Sequence, residues 1–153
     1  MRVDVKLYTD GSSTGKIGEG GWAFVLLDPK LEPIEGFGGE DNTTNNRMEL
    51  MGAIEGLKEI YRLYGSSPNI TVYSDSQYVV KGISEWITQW LVKIERGKEI
   101  KNQDLWLILK GLVDLFDSIK FEWIRGHSNI IYNDRCDTLA KQAKLTVKVN
   151  RSS

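Results

Sequence analysis

The chain has 153 residues, 41% of them hydrophobic, long enough to bury one substantial core and too short to divide comfortably into two, so a single domain over residues 1–153 is expected. Lys plus Arg number 20 against 21 Asp plus Glu, a formal charge of -1, which excludes global attraction to a polyanion and leaves any such affinity to a local patch. Cys136 is the only cysteine, which excludes an internal disulfide and fits a reducing compartment, the cytoplasm by default.

Val3, Val5 and Leu7 alternate with Asp4, Lys6 and Tyr8, the period-2 pattern of a strand, which stops at Asp10-Gly11-Ser12-Ser13. The same alternation lacks the apolar run that an export signal or a membrane span needs, so no membrane association is expected. After a Gly-rich turn, Gly21 to Asp28 reads as a second strand, antiparallel to the first because the connection is short. A third is expected between Leu31 and Gly39, completing a meander. From Asn45 the period becomes helical, with Leu50, Ile54, Leu57 and Tyr61 as its stripe and Gly65 as a C-cap. Ile70 to Tyr73 is a short strand ending at Ser74-Asp75, and the preceding helix makes it parallel to an earlier one. Gln77 to about Leu91 reads as helix, in one piece or in two broken near Gly82, and Gln103 to Phe116 as a strongly apolar helix. Ile119 to Arg125 alternates again as the last strand. The loop from Gly126 to Tyr132 leads into a closing helix with Cys136, Leu139, Ala140 and Ala143 on one face.

Asp10 and Asp75 therefore both end strands of one sheet, and α/β sheets gather ligands outside the carboxyl ends of their parallel strands. Glu49 lies early on the first helix, on a face continued by the small residues Ala53 and Gly56, which let that side approach the sheet. Asp137 sits in the first turns of the closing helix beside its apolar face. Acids gathered at one spot need cations, and an all-oxygen ligand set suits Mg²⁺ or Mn²⁺ rather than zinc. A pair of such ions about 4 Å apart is the arrangement that hydrolyses phosphodiesters. For each acid alone the plainer alternative is a turn residue or a solvated helix face.

Asp10-Gly11-Ser12, Thr44-Asn45-Asn46-Arg47-Met48-Glu49-Leu50, Ser74-Asp75-Ser76-Gln77-Tyr78-Val79 and Gly126-His127 followed by Asn133-Asp134-Arg135-Cys136-Asp137 closely resemble the successive motifs of bacterial-type ribonuclease HI, the type 1 class, in order from Val3 to about Ala143. The resemblance implies an α/β ribonuclease H-like fold, a five-stranded mixed sheet flanked by helices. It implies an endonuclease that uses two Mg²⁺ ions, with Mn²⁺ as a substitute, to cut the RNA strand of an RNA/DNA hybrid, leaving 5'-phosphate and 3'-hydroxyl ends. Asp10 would bridge both ions, Asp137 would share the nucleophile-side ion, and Glu49 with Asp75 would complete the other. Glu49 would also sense a ribose 2'-hydroxyl, the group that distinguishes RNA from DNA. Ser13, Asn45, Asn46 and Gln77 would lie along the RNA, and Thr44 with Asn102 on a DNA phosphate. His127, the sole histidine, would assist proton transfer or product release. A monomer with no obligate protein partner is expected.

Lys16-Ile17-Gly18 stands where the family usually places an Asn-Pro pair. Trp86 and Trp90, at helical spacing, are candidate hybrid contacts or equally ordinary packing residues, and Lys81, Lys93, Arg96, Lys98 and Lys101 around them are offset by Glu85, Glu95 and Glu99, so this gripping surface is only weakly basic. Lys141, Lys144, Lys148 and Arg151 form a basic C-terminal tail, either a supplement to binding or a solvated face. A phosphate-loop reading of Gly11 to Lys16 fails, because the spacing is one residue short and a strand follows. Other nucleases of the same fold are not expected to combine these motifs, and a non-catalytic hybrid-binding module would ordinarily lack one of the acids. All four are present.

Overall fold

The computed structural model describes residues 2–126 and 130–152. Strands β1 (Asp4–Ser13), β2 (Gly18–Leu27) and β3 (Ile34–Thr43) form the meander, followed by α1 (Asn45–Tyr64) and β4 (Asn69–Ser74). Next come α2 (Gln77–Lys81), a π-helical turn (Gly82–Trp86), α3 (Ile87–Glu95), α4 (Gln103–Val113), β5 (Ser118–Trp123) and α5 (Ile131–Ser152). The five strands make one sheet in the order β3-β2-β1-β4-β5. β1 runs antiparallel to β2 and parallel to β4, which is parallel to β5. This is the five-stranded mixed sheet that the resemblance implies.

Helices α1 and α4 cover one face, where Leu7, Leu26, Leu50, Ile54, Leu57, Ile60, Trp106 and Leu109 are buried in one cluster. Helix α5 covers the other, packing Cys136, Leu139 and Ala140 on Ala23 and Val25. The expected apolar face of α5 is therefore buried. The stripe of α1 turns inward through Ile60 rather than Tyr61, which is 42% exposed and meets Phe116 edge-on.

Thr44 caps α1, its hydroxyl accepting from the Arg47 N–H at 3.2 Å, and Gly65 ends it at φ 70°, its N–H donating to the Tyr61 carbonyl. Several boundaries differ from expectation. β3 starts at Ile34 and runs to Thr43, because the Leu31 N–H turns back to the Asp28 carbonyl and Pro33 has no N–H to offer a ladder. Helix α4 ends at Val113, where Leu115 and Phe116 tighten into bonds three residues back. The helix after β4 does not break at Gly82. It widens there into a π turn, and a Cβ on Gly82 would lie 2.1 Å from the buried Trp106 ring, so only glycine admits that indole.

Candidate active site

The parallel register between β1 and β4 ends on the pair Thr9↔Ser74, so the next residues, Asp10 and Asp75, emerge side by side. Helix α1 reaches the same place because its first turn rests directly on β1. A Cβ on Gly11 would stand 2.2 Å from the Met48 carbonyl carbon, and one on Gly52 would stand 2.9 Å from the Asp10 backbone carbonyl oxygen. That close approach delivers Glu49, and carboxylate oxygens of Asp10, Glu49 and Asp75 all lie within 4.8 Å of one another.

Asp10 is 5% exposed, and its Oδ1 accepts from the Gly11 N–H at 2.9 Å. Burial, then the neighbouring charge of Asp75, pushes the Asp10 carboxyl up to about 7, with a smaller push from Asp137. Burial and the charges of Asp10 and Asp75 likewise raise Glu49 well above the ordinary carboxyl range. Glu49 Oε1 is buried without a hydrogen-bond partner among the described residues. An orphaned carboxylate oxygen facing two more acids is the donor set of a hard divalent cation, which would satisfy the oxygen and relieve the repulsion. The residues therefore fit such an ion.

Asp137 stands apart from this trio. It feels Asp10 electrostatically, but its Oδ2 is paired with Lys141 Nζ at 3.0 Å along α5. Lys144, the next basic residue, donates to the Ser12 hydroxyl at 3.2 Å, so the basic C-terminal residues begin as a helical edge of the site rather than a loose tail. His127 lies outside the described residues. Cys136 is buried, which pushes its thiol up and keeps it protonated, excluding thiolate chemistry.

Ser13 ends the strand that carries Asp10, and Asn45 and Asn46 open the helix that carries Glu49. Asn45 Oδ1 accepts from the Ser13 N–H at 2.6 Å and from its hydroxyl at 3.2 Å, tying the β1–β2 turn to the start of α1. Beside them a groove of about 870 Å³ is lined by Gly15, Lys16, Ile17, Thr44, Asn45, Asn46 and Lys101. Gln77 is the exposed first residue of α2. Asn102 holds a left-handed backbone at φ 58°. Its amide donates to the Tyr78 hydroxyl at 3.1 Å and accepts from Arg47 at 3.3 Å. Trp90 is half-buried against Trp106, with ring centroids 4.9 Å apart, whereas Trp86 is 36% exposed. Trp90 thus has a packing role and Trp86 presents the more open ring.

Three supporting residues were not anticipated. Arg47 grips both Asp104 oxygens, at 3.0 and 2.7 Å, and Tyr78 also receives the Trp106 indole N–H at 2.8 Å. Trp123, 47% exposed, donates its indole N–H to the Asp75 carbonyl at 3.0 Å. Arg47 and Tyr78 lie inside the motif strings, but their partners lie 57 and 28 residues away, so no local spacing reveals them.

Residues 2–144 match the family model described as RNase H. The chain is 43% identical over 145 residues to Ribonuclease HI of Pseudomonas syringae pv. tomato (strain ATCC BAA-871 / DC3000), covering 93% of each. It is 42% identical over 146 residues to Ribonuclease H of Campylobacter jejuni subsp. jejuni serotype O:23/36 (strain 81-176), covering 94% of this chain and 92% of that one. Among solved structures, the N-terminal RNase H domain of a Mycobacterium tuberculosis protein superimposes with a TM-score of 0.78 at 26% identity, covering 97% of this chain and 99% of that one.

Proposed function

The chain belongs to the ribonuclease H family, and on that premise we propose that it hydrolyses the RNA strand of RNA/DNA hybrids with Asp10, Glu49, Asp75 and Asp137 as its ion-holding acids. It is an enzyme, a ribonuclease H. The observation that carries the assignment of the site is the convergence of Asp10, Glu49 and Asp75 within 4.8 Å around the unpartnered Glu49 Oε1.

Mg²⁺, or Mn²⁺ in its place, would supply an activated water and charge neutralisation at the leaving oxygen. The chain's own residues do the rest. Gly11 and Gly52 let α1 bring Glu49 against Asp10, and the Thr9↔Ser74 register fixes the spacing of Asp10 and Asp75. Asp137 completes the set once its carboxylate leaves Lys141. Glu49 reads the ribose 2'-hydroxyl, selecting RNA over DNA, and cleavage leaves 5'-phosphate and 3'-hydroxyl ends. Ser13, Asn45, Asn46 and Gln77 line the RNA path, Thr44 and Asn102 hold a DNA phosphate, and Trp86 extends the contact. His127 assists proton transfer or product release. Among the described residues no helix is long and apolar enough to cross a membrane. We place the enzyme in the cytoplasm as a monomeric single domain.

The test is cleavage of labelled RNA in a hybrid, beside free RNA, duplex RNA and duplex DNA, with Mg²⁺ or with chelator. Cleavage of the hybrid alone, only with the ion, is expected. Hybrid cleavage that survives Asp10→Asn or Asp75→Asn would sink the assignment.

A further inference from the structure

Asp75 follows β4 and precedes the Ser76 cap of α2, so its own segment fixes its backbone on both sides. The end of β5 adds three contacts to the same turn. The Ile124 N–H donates to the Ser74 carbonyl at 2.9 Å, one residue beyond the last register pair, Ser74↔Trp123. The Trp123 indole donates to the Asp75 carbonyl at 3.0 Å. Gly126 stands against the carboxylate, where a Cβ would lie 2.9 Å from Oδ2 and 3.6 Å from the Asp75 Cβ.

The tryptophan is oddly placed for a packing residue. Its ring is 47% exposed, forgoing much of the hydrophobic gain available to so large a side chain, while its single donor goes to the main chain of an acid in the cluster. Without that bond the peptide plane after Asp75 loses the tether that the Trp123 indole gives it, and the carboxylate pivots with it. With a side chain at residue 126 the carboxylate is displaced directly.

We propose that Trp123 and Gly126 are positioning residues for Asp75: the indole N–H fixes its peptide and the glycine leaves room for its carboxylate, together setting it against Asp10 and Glu49. This rests on the reading of the three acids as a divalent-ion site. Ion binding depends on ligand placement at the sub-ångström level, and removal of an orienting contact outside the ligands typically weakens metal binding about 10–100-fold.

Trp123→Phe keeps an aromatic ring and removes the donor, and Gly126→Ala intrudes on the carboxylate by another route. Mn²⁺ is titrated calorimetrically into the substrate-free wild type and both variants, with thermal melting in chelator and steady-state kinetics on the hybrid in parallel. We expect ion affinity to fall roughly tenfold in Trp123→Phe and at least as far in Gly126→Ala, with melting in chelator and the KM for hybrid near wild type. Unchanged ion affinity in both variants overturns the inference. So does a raised hybrid KM at unchanged ion affinity, which would make Trp123 a substrate contact, or a lost ion affinity matched by lost folding. Failure of the wild type itself to bind Mn²⁺ would overturn the ion-site reading, a separate result visible before any variant is compared.

Discussion

Gly11 lies so close to Glu49 that a Cβ on the glycine would stand 2.3 Å from the Glu49 backbone nitrogen. Backbone meets backbone there, so no flexible side chain can yield, and α1 must move off β1 to admit a methyl group. Gly11→Ala should therefore damage the acid cluster and the core together. The expected cost is about 1–3 kcal/mol of stability from overpacking, and a loss of hybrid cleavage of at least about a hundredfold because Glu49 is displaced from Asp10. Urea unfolding and initial rates check both. Near-wild-type cleavage would show that α1 can withdraw without disturbing the site.

The acid cluster makes stability depend on pH in an unusual direction. The Asp10 carboxyl sits near 7 in the folded protein against an ordinary 3.8, chiefly through burial and Asp75. Between those values the folded chain holds a proton that the unfolded chain has released, so the contribution of this group to stability is fully present below about 4 and is lost as pH rises through 7. The limit for this one group is on the order of 4 kcal/mol, and Glu49 acts in the same sense. In chelator, Asp10→Asn should be more stable than wild type at pH 8, with the advantage shrinking as pH falls toward 4. Saturating Mg²⁺ at pH 8 should restore the wild type and leave the variant nearly unmoved, since ion binding adds about 2.7 kcal/mol at a hundred times Kd. A stability difference independent of pH would contradict the electrostatic account.

Much of this was legible in the sequence because it is carried by local pattern. Alternation around Val5 and Leu7, the helical stripe from Leu50, and Asp75 at a strand end are all short-range signals; Asp10 is not a strand end, since β1 runs on beside β2 to Ser13, but it lies where the parallel pairing with β4 stops. What stayed hidden depends on contacts distant in sequence. Gly82 reads as a helix breaker until Trp106 is seen against it. Asp137 reads as a fourth equal acid until Lys141, one helical turn on, is seen to hold it. The start of β3 was misplaced because Leu31 to Pro33 is apolar enough to pass for strand, while the decisive Leu31 bond to Asp28 leaves no mark on hydrophobic pattern.

Arg47 joins the first turn of α1 to the first turn of α4, gripping Asp104 with two nitrogens and touching Asn102 at 3.3 Å. The Asp104 side chain is 62% exposed, so the pair adds little stability, below about 1 kcal/mol. Its geometric effect is larger, because the same guanidinium orients the Asn102 amide. Arg47→Lys keeps the charge and loses the planar fork. Melting should stay within about 2 °C of wild type, while KM for the hybrid rises several-fold with kcat little changed. A fall in kcat at constant KM would place the effect at the acids instead.

Lys16 and Lys101 line the groove beside Thr44 to Asn46 from opposite segments, the β1–β2 turn and the approach to α4. Neither makes an ion pair among the described residues. On a chain of net charge -1, affinity for a polyanion must come from such local cations. Each phosphate they neutralise releases counterions, adding about 0.7–0.9 to the slope of log affinity against log salt. Lys16→Ala and Lys101→Ala should each lower that slope by nearly one unit and weaken hybrid binding mainly at low salt, and the double variant should lower it by nearly two. The measurement is hybrid affinity of Asp10→Asn protein, which binds without cutting, from about 50 to 200 mM salt. Acid-cluster ion affinity should not change in the lysine variants. Slopes equal to that of the parent would mean that the hybrid's phosphates pass outside this groove, leaving the Trp86 surface or the α5 lysines to carry the electrostatic part of binding.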